Sequence, residues 1–162
     1  MAAEWQFGWP RWVVGAIVAG YLGVVPAVVA NARAERIAGP VIADVVAVVD
    51  GDTLRVRIRI WLGQELETLV RLDGIDAPEI SGKCPNEREL AGRARGALAA
   101  MVVGGLVLLT DIRHDKYAGR VVARVKDRHG GDLGDRLVVA GLARRYDGSV
   151  RRSWCPEGSG PT

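Results

Sequence analysis

The stretch "VIADVVAVVDGDTLRVRIRI", Val41 to Ile60, decides the fold. Its first half, residues 41–50, is a nearly unbroken β-branched run, the pattern of a buried strand. Asp50-Gly51-Asp52 interrupts it with turn chemistry. The second half alternates: Leu54, Val56, Ile58 and Ile60 fall on one side, and Thr53, Arg55, Arg57 and Arg59 on the other. "WLGQELETLVRL", residues 61–72, turns at Gly63 and returns as a third strand, which completes a meander.

Outward from the meander, Leu90, Ala94, Ala97, Leu98, Met101 and Val102 recur at helical spacing. Asn86 is the expected N-cap, Glu89 completes a capping-box pattern, and Gly104-Gly105 ends the helix. "LVLLTDIR" and "RVVARVKD" predict a fourth and a fifth strand, with Asp115 to Gly119 between them. After the turn His129-Gly130-Gly131-Asp132, a second helix is expected from Leu133 to Ala140, stopped by Gly141. Residues 33–40 read as a linker and 148–162 as an irregular tail. The expected architecture for 41–147 is mainly β with α: a five-stranded OB-fold barrel with two helices. Such barrels commonly bind nucleic acid or sugar, an analogy of fold that names no activity.

The 162 residues suffice for one domain with a core. With 49% hydrophobic and 25% charged residues the chain is of ordinary globular composition, and 21 glycines with seven prolines argue against a helical bundle. A net charge of +3 permits a polyanionic partner without requiring one.

From Trp12 to Ala30 there is no charged residue, and Arg11 precedes the run. It is nearly long enough to cross a bilayer as a helix. Ala30-Asn31-Ala32 has the small-x-small form of a signal cleavage site. A cleaved signal peptide and a retained membrane anchor over residues 1–32 both stay open, as does a buried core helix. Either membrane reading exports the domain, to be periplasmic, secreted or membrane-anchored outside the cytoplasm. In an oxidising compartment the only two cysteines, Cys84 and Cys155, are expected to form a disulfide, the alternative being two free thiols. Neither has a histidine or second cysteine at zinc spacing.

Three polar clusters stand out: Asp50-Gly51-Asp52-Thr53, the span Arg71 to Glu79, and Asp115 to Arg120. Hard divalent ions take carboxylate and backbone-carbonyl oxygens, so Asp52, Asp76 and the Ala77 carbonyl form a candidate ligand set if the strands bring them together. Glu79 is a candidate base for water, and Arg71 and Arg120 are candidate phosphate donors. Singly these signals are weak. Asp50 and Asp73 read best as turn residues bonded locally, Arg55, Arg57 and Arg59 as a solvated face, and Tyr117 as either a core-edge tyrosine or a base-stacking platform. A cluster of carboxylates repels itself, however, and calls for a cation or arginines to compensate it.

"VVDGDTLRV", "VRLDGIDAPE", "DKYAGRVVARV" and "LVVAGLARRY" together resemble the thermonuclease family, the staphylococcal-nuclease-like domains. The resemblance covers about Val45 to Tyr146, and the spacing Arg-x4-Asp-x-Pro-Glu is more specific than any single block. It implies a calcium-dependent nuclease on an OB barrel that acts on DNA and RNA and leaves the phosphate on the 3′ side. Asp52 and Asp76 match the metal aspartates, and Ala77 stands where the family often has threonine and offers only its carbonyl. Arg71, Glu79 and Arg120 match the catalytic residues, with the glutamate activating water and the arginines stabilising the phosphorane. Lys116 and Tyr117 match positions beside a bound nucleotide, and Tyr146 is the single tyrosine after the last helix. Ala118 is an extra residue relative to the archetype, and the archetype's third helix is missing here. The expectation is a monomeric metal-dependent phosphodiesterase acting on single-stranded nucleic acid, exported or membrane-tethered. The rival is a non-catalytic nucleic-acid-binding module on the same fold.

Overall fold

A computed structural model describes residues 35–156. The apolar run read as a signal or anchor, the start of the linker and residues 157–162 lie outside the described residues. No helix among the described residues is long and apolar enough to cross a membrane.

Strand β1 is the two-residue piece Arg36–Ile37, so the expected linker carries a strand, paired with β6 at Arg36↔Arg113 and Ile37↔Ile112. β2 (Val41–Asp50), β3 (Thr53–Trp61) and β4 (Gln64–Leu72) form the meander. β2 and β3 pair antiparallel through Val45↔Val56 and Val48↔Leu54, and β3 pairs β4 through Leu54↔Val70 and Thr53↔Arg71. After the short β5 (Ile75–Asp76) come α1 (Pro85–Met101), β6 (Leu106–His114), β7 (Arg120–Asp127), α2 (Leu133–Val139) and the short β8 (Arg144–Arg145). β6 pairs β7 and β2 antiparallel, while β4 pairs β7 in parallel, from Leu69↔Arg120 to Leu72↔Ala123. That one parallel pairing closes the five long strands into a barrel. β5 and β8 form a separate ribbon, Ile75↔Arg145 and Asp76↔Arg144, at the edge of the site.

The alternation at β3 does what the period predicts for its first half. Leu54 and Val56 are buried with Val70, Leu72, Val107, Leu109, Ala123 and Val125 inside the barrel. Ala94 and Leu98 of α1 and Leu133 and Leu137 of α2 cap this core. Ile60, farther along the same strand, is exposed, and Trp61 and Leu62 at the hairpin tip are 71% and 87% exposed. The β3–β4 hairpin outruns the barrel, so its apolar tip has no facing layer.

The α1 start also differs. The N-cap position is Cys84, with Pro85 following and no side-chain cap bond. Proline suits that position because the first helical N–H has no intrahelical partner. The Asn86 amide donates instead to the Trp154 carbonyl at 3.3 Å, and Glu87 accepts from the Lys83 N–H at 3.0 Å. At α2, Asp132 caps by accepting from the Asp135 N–H at 3.0 Å.

Two glycines position the site. A β-carbon on Gly51 would sit 2.8 Å from the Ala94 β-carbon and 3.1 Å from that of Ala77. The β2–β3 turn can therefore lie directly on α1 and on the segment after β5 only as glycine. Gly74, at φ +74°, makes the reversal between Arg71 and Asp76 without strain.

Candidate active site

Register brings the first two polar clusters together. Thr53 faces Arg71 across β3 and β4, and the Leu72 N–H donates to the Asp52 carbonyl at 2.8 Å. The Arg71 guanidinium, buried, bonds Asp52 Oδ2 through Nη1 and the Ile75 carbonyl through Nη2 at 3.0 Å. Nη2 also lies 4.0 Å from Asp76 Oδ1. One arginine thus spans both candidate metal aspartates, and both are buried. The Thr53 hydroxyl donates to Asp52 Oδ1 at 2.8 Å, which leaves neither Asp52 oxygen bare.

Asp76 is held differently. Its Oδ2 accepts from Trp154 Nε1 at 3.2 Å. Its Oδ1 is fully buried yet accepts no hydrogen bond, although Arg151 Nε approaches to 3.0 Å. The geometry of that approach is that of an ion pair and not of a hydrogen bond. A buried carboxylate oxygen in that state is what a hard cation would use, and Asp52 and the adjacent Ala77 backbone add further oxygen donors. The residues fit such an ion. Among the described residues, the only place where three acidic or sulfur ligand atoms lie within 4.8 Å of one another is Cys84, Glu87 and Cys155. The sulfurs of that trio are joined to each other, so it is not an ion site.

Glu79 accepts from Arg151 Nη1 at 2.6 Å. Burial works to raise its carboxyl, but the bonds from Arg151 and Asp50 outweigh it and hold Glu79 below its ordinary range. Asp50 goes the other way: burial, followed by its neighbour Glu79, pushes it up to about 6 against the bond from the Gly51 N–H. Below about pH 6 the proton of the pair therefore sits on Asp50, and Glu79 is the ionised partner. Burial also raises Asp52, against the pull of Arg71. The local bond expected of Asp50 is present. Asp73, expected to bond locally, receives two bonds from Arg113, at 2.9 and 2.6 Å, and its carboxyl is lowered by them.

Arg120 does not meet the carboxylate cluster. Its Nε donates to Asp115 Oδ2 at 2.5 Å, and its guanidinium lies 5.2 Å from the Tyr117 ring centroid. The parallel register of β4 with β7 nonetheless sets Arg71 opposite Val122, two residues beyond Arg120. Arg71, Arg113, Lys116, Tyr117, Arg120 and Arg151 all line one cleft of about 360 Å³. Lys116 lies 5.2 Å from the same ring, and Tyr117 is 57% exposed, so it is a surface residue flanked by two cations and not a core-edge tyrosine. Tyr146 lines that cleft too, with its hydroxyl donating to the Ser149 carbonyl at 2.6 Å.

The tail supplies what sequence reasoning missed. Cys84 and Cys155 are disulfide-bonded, with Cα atoms 5.9 Å apart. The bond returns the last residues to α1, and Arg151 and Trp154 come with it onto Asp76 and Glu79. The signal that could have found them was the cysteine itself. Cys84 lies five residues after Glu79, so whatever immediately precedes Cys155 must arrive near that glutamate once the bond is assumed.

A family model described as staphylococcal nuclease homologue matches residues 69–155. The match begins within β4 and ends at Cys155, so it includes Arg71, Asp76, Glu79, Arg120 and the tail; Asp52 precedes it. A comparison with curated proteins finds no match.

Proposed function

The chain belongs to the staphylococcal nuclease homologue family, and on that premise we propose that it is a calcium-dependent phosphodiesterase acting on DNA, RNA or both. The observation that carries the proposal is Arg71 bonded to buried Asp52 and 4.0 Å from buried Asp76, whose Oδ1 accepts no hydrogen bond. Asp52, Asp76 and the Ala77 carbonyl would hold the ion, which when bound supplies fixed positive charge against the charge that builds on phosphorus. Glu79, the ionised member of its pair with Asp50, takes the proton of the attacking water. Arg71 and Arg120, on the walls of one cleft, donate to the non-bridging phosphate oxygens. Arg120 has to exchange Asp115 for phosphate to do so.

Lys116, Tyr117 and Tyr146 receive the nucleic acid along that cleft, the lysine at phosphate and an exposed ring against a base. A shallow groove with an exposed aromatic ring suits single strands, whose bases are free to stack. The proposal places the protein outside the cytoplasm as a monomer, secreted or tethered by its N-terminal segment, where a Cys84–Cys155 bond persists.

One observation favours a second reading, a nucleic-acid-binding module without catalysis: Glu79 is already paired with Arg151. The two readings part on one experiment. The full-length chain is incubated with heat-denatured DNA in calcium and then in excess chelator. Degradation that stops with the chelator supports the hydrolase. DNA that is retarded on a gel but stays intact in both conditions replaces it with the binding module.

A further inference from the structure

The tail after β8 has no regular structure, yet it is fastened to the candidate site at several independent points. Cys155 is bonded to Cys84, and the Asn86 amide holds the Trp154 carbonyl. Arg144 Nη1 donates to the Ser153 carbonyl at 3.0 Å, and the same guanidinium stacks 3.6 Å from the Trp154 ring centroid. Trp154 in turn donates to Asp76. These fastenings fix Arg151, which is partly exposed, on two site carboxylates at once: Asp76 Oδ1 at 3.0 Å and Glu79 Oε1 at 2.6 Å.

A guanidinium and a hard cation are rivals for such oxygens. Both are drawn to a desolvated carboxylate, and the one already tethered nearby has the advantage of effective concentration. Asp76 Oδ1 is the oxygen that accepts no hydrogen bond and that Arg151 faces as a bare charge. Arg71 cannot play this part as easily, because its guanidinium is bonded to Asp52 and to the Ile75 carbonyl within the buried interior.

We propose that Arg151 is a tethered counter-ion of the site, which competes with the divalent cation for Asp76 and releases that carboxylate when the cation binds. The inference rests on the metal site proposed above. Arg151 then sets the calcium concentration at which the site fills and acts as a positioning residue. The sign of its effect separates this role from a structural one. A residue that only braced the site would, when removed, weaken cation binding; a competitor, when removed, strengthens it.

The test is calorimetric titration of calcium chloride alone into the full-length chain, with no nucleic acid present. Arg151→Gln is expected to bind calcium about tenfold more tightly than the wild type, the scale of one lost charge contact at a buried carboxylate. Arg152→Ala, which removes the same formal charge from the exposed neighbouring position, is expected to change the affinity by less than about twofold. If Arg151→Gln does not show a cooperative melt, Arg151→Lys carries the test. It keeps the charge but loses the fork that reaches both carboxylates, and a gain of about threefold is expected. Equal or weaker calcium binding in the folded Arg151 variants, with binding still abolished by Asp76→Asn, overturns the counter-ion role and leaves the metal site standing. No calcium uptake by any folded chain, or uptake that survives Asp76→Asn unchanged, overturns both.

Discussion

Arg71 and Asp52 are bonded inside the protein although nineteen positions separate them, because β3 and β4 pair in a register that sets Thr53 opposite Arg71. The pair is buried on both sides, with side chains 10% and 7% exposed. Removing one partner from such a pair costs far more than the pair is worth, since the other charge stays buried alone. Arg71→Met is therefore expected to lower the unfolding free energy by about 3 kcal/mol at neutral pH. Burial already raises the Asp52 carboxyl, and without the guanidinium it rises further. The loss should shrink as pH falls and Asp52 takes up a proton. Urea unfolding of the variant and the wild type across pH measures both effects, and a pH-independent difference would contradict the argument.

Glu79 is the residue on which the hydrolase reading turns. Glu79→Gln keeps the shape and an acceptor oxygen for Arg151 but cannot take a proton from water. Turnover of denatured DNA is expected to fall at least about a hundredfold, with nucleic-acid binding retained. Single-turnover assays beside a gel-shift measurement separate the two quantities. Turnover within a few-fold of wild type would remove Glu79 from the base role.

The barrel was legible because it rests on local patterns. The run at 41–50, the alternation at 54–58 and the helical spacing from Leu90 to Val102 each report a periodicity that burial enforces. The parallel closure of β4 on β7 has no such local signature, and it follows only from the fold class. Alternation says which side a residue faces, not whether anything covers that side, and Ile60 is exposed. Asp52, Arg71 and Asp76 could be read as neighbours because strands joined by short turns must bring them close. Arg151 and Trp154 have no such local signal, since an irregular tail has no period, and their position could be read only through the expected Cys84–Cys155 bond.

Acid should weaken the domain partly through Asp73. Arg113 holds this half-buried carboxyl below its ordinary value of 3.8. The folded state therefore binds fewer protons than the unfolded chain as pH drops through that range. The contribution is complete above the ordinary value and is lost as pH falls through the folded one. Both side chains are partly solvated, so about 1 kcal/mol is expected. Urea midpoints of wild type and Asp73→Asn should differ near neutrality and converge in acid, below the ordinary carboxylate range. A gap that persists in acid would mean that the asparagine acts through packing and not through charge.

The Cys84–Cys155 bond should separate stability from site assembly. It closes a span of 71 positions, and the loop-entropy argument gives about 4 kcal/mol for its removal. The barrel core lies within Ala43 to Ala143, so the double variant Cys84→Ala with Cys155→Ala should still fold, with a lowered denaturation midpoint. What it loses locally is the anchor that returns Trp154 to Asp76. The Trp154 indole, stacked on Arg144 and bonded to a carboxylate, should then shift its fluorescence toward that of a solvated tryptophan. Four other tryptophans emit as well, Trp5, Trp9, Trp12 and the exposed Trp61, so the Trp154 signal is taken as the difference from Trp154→Phe in each background. A lowered midpoint with unchanged emission would mean that Arg144 and Asn86 hold the tail by themselves, and that the disulfide contributes to stability alone.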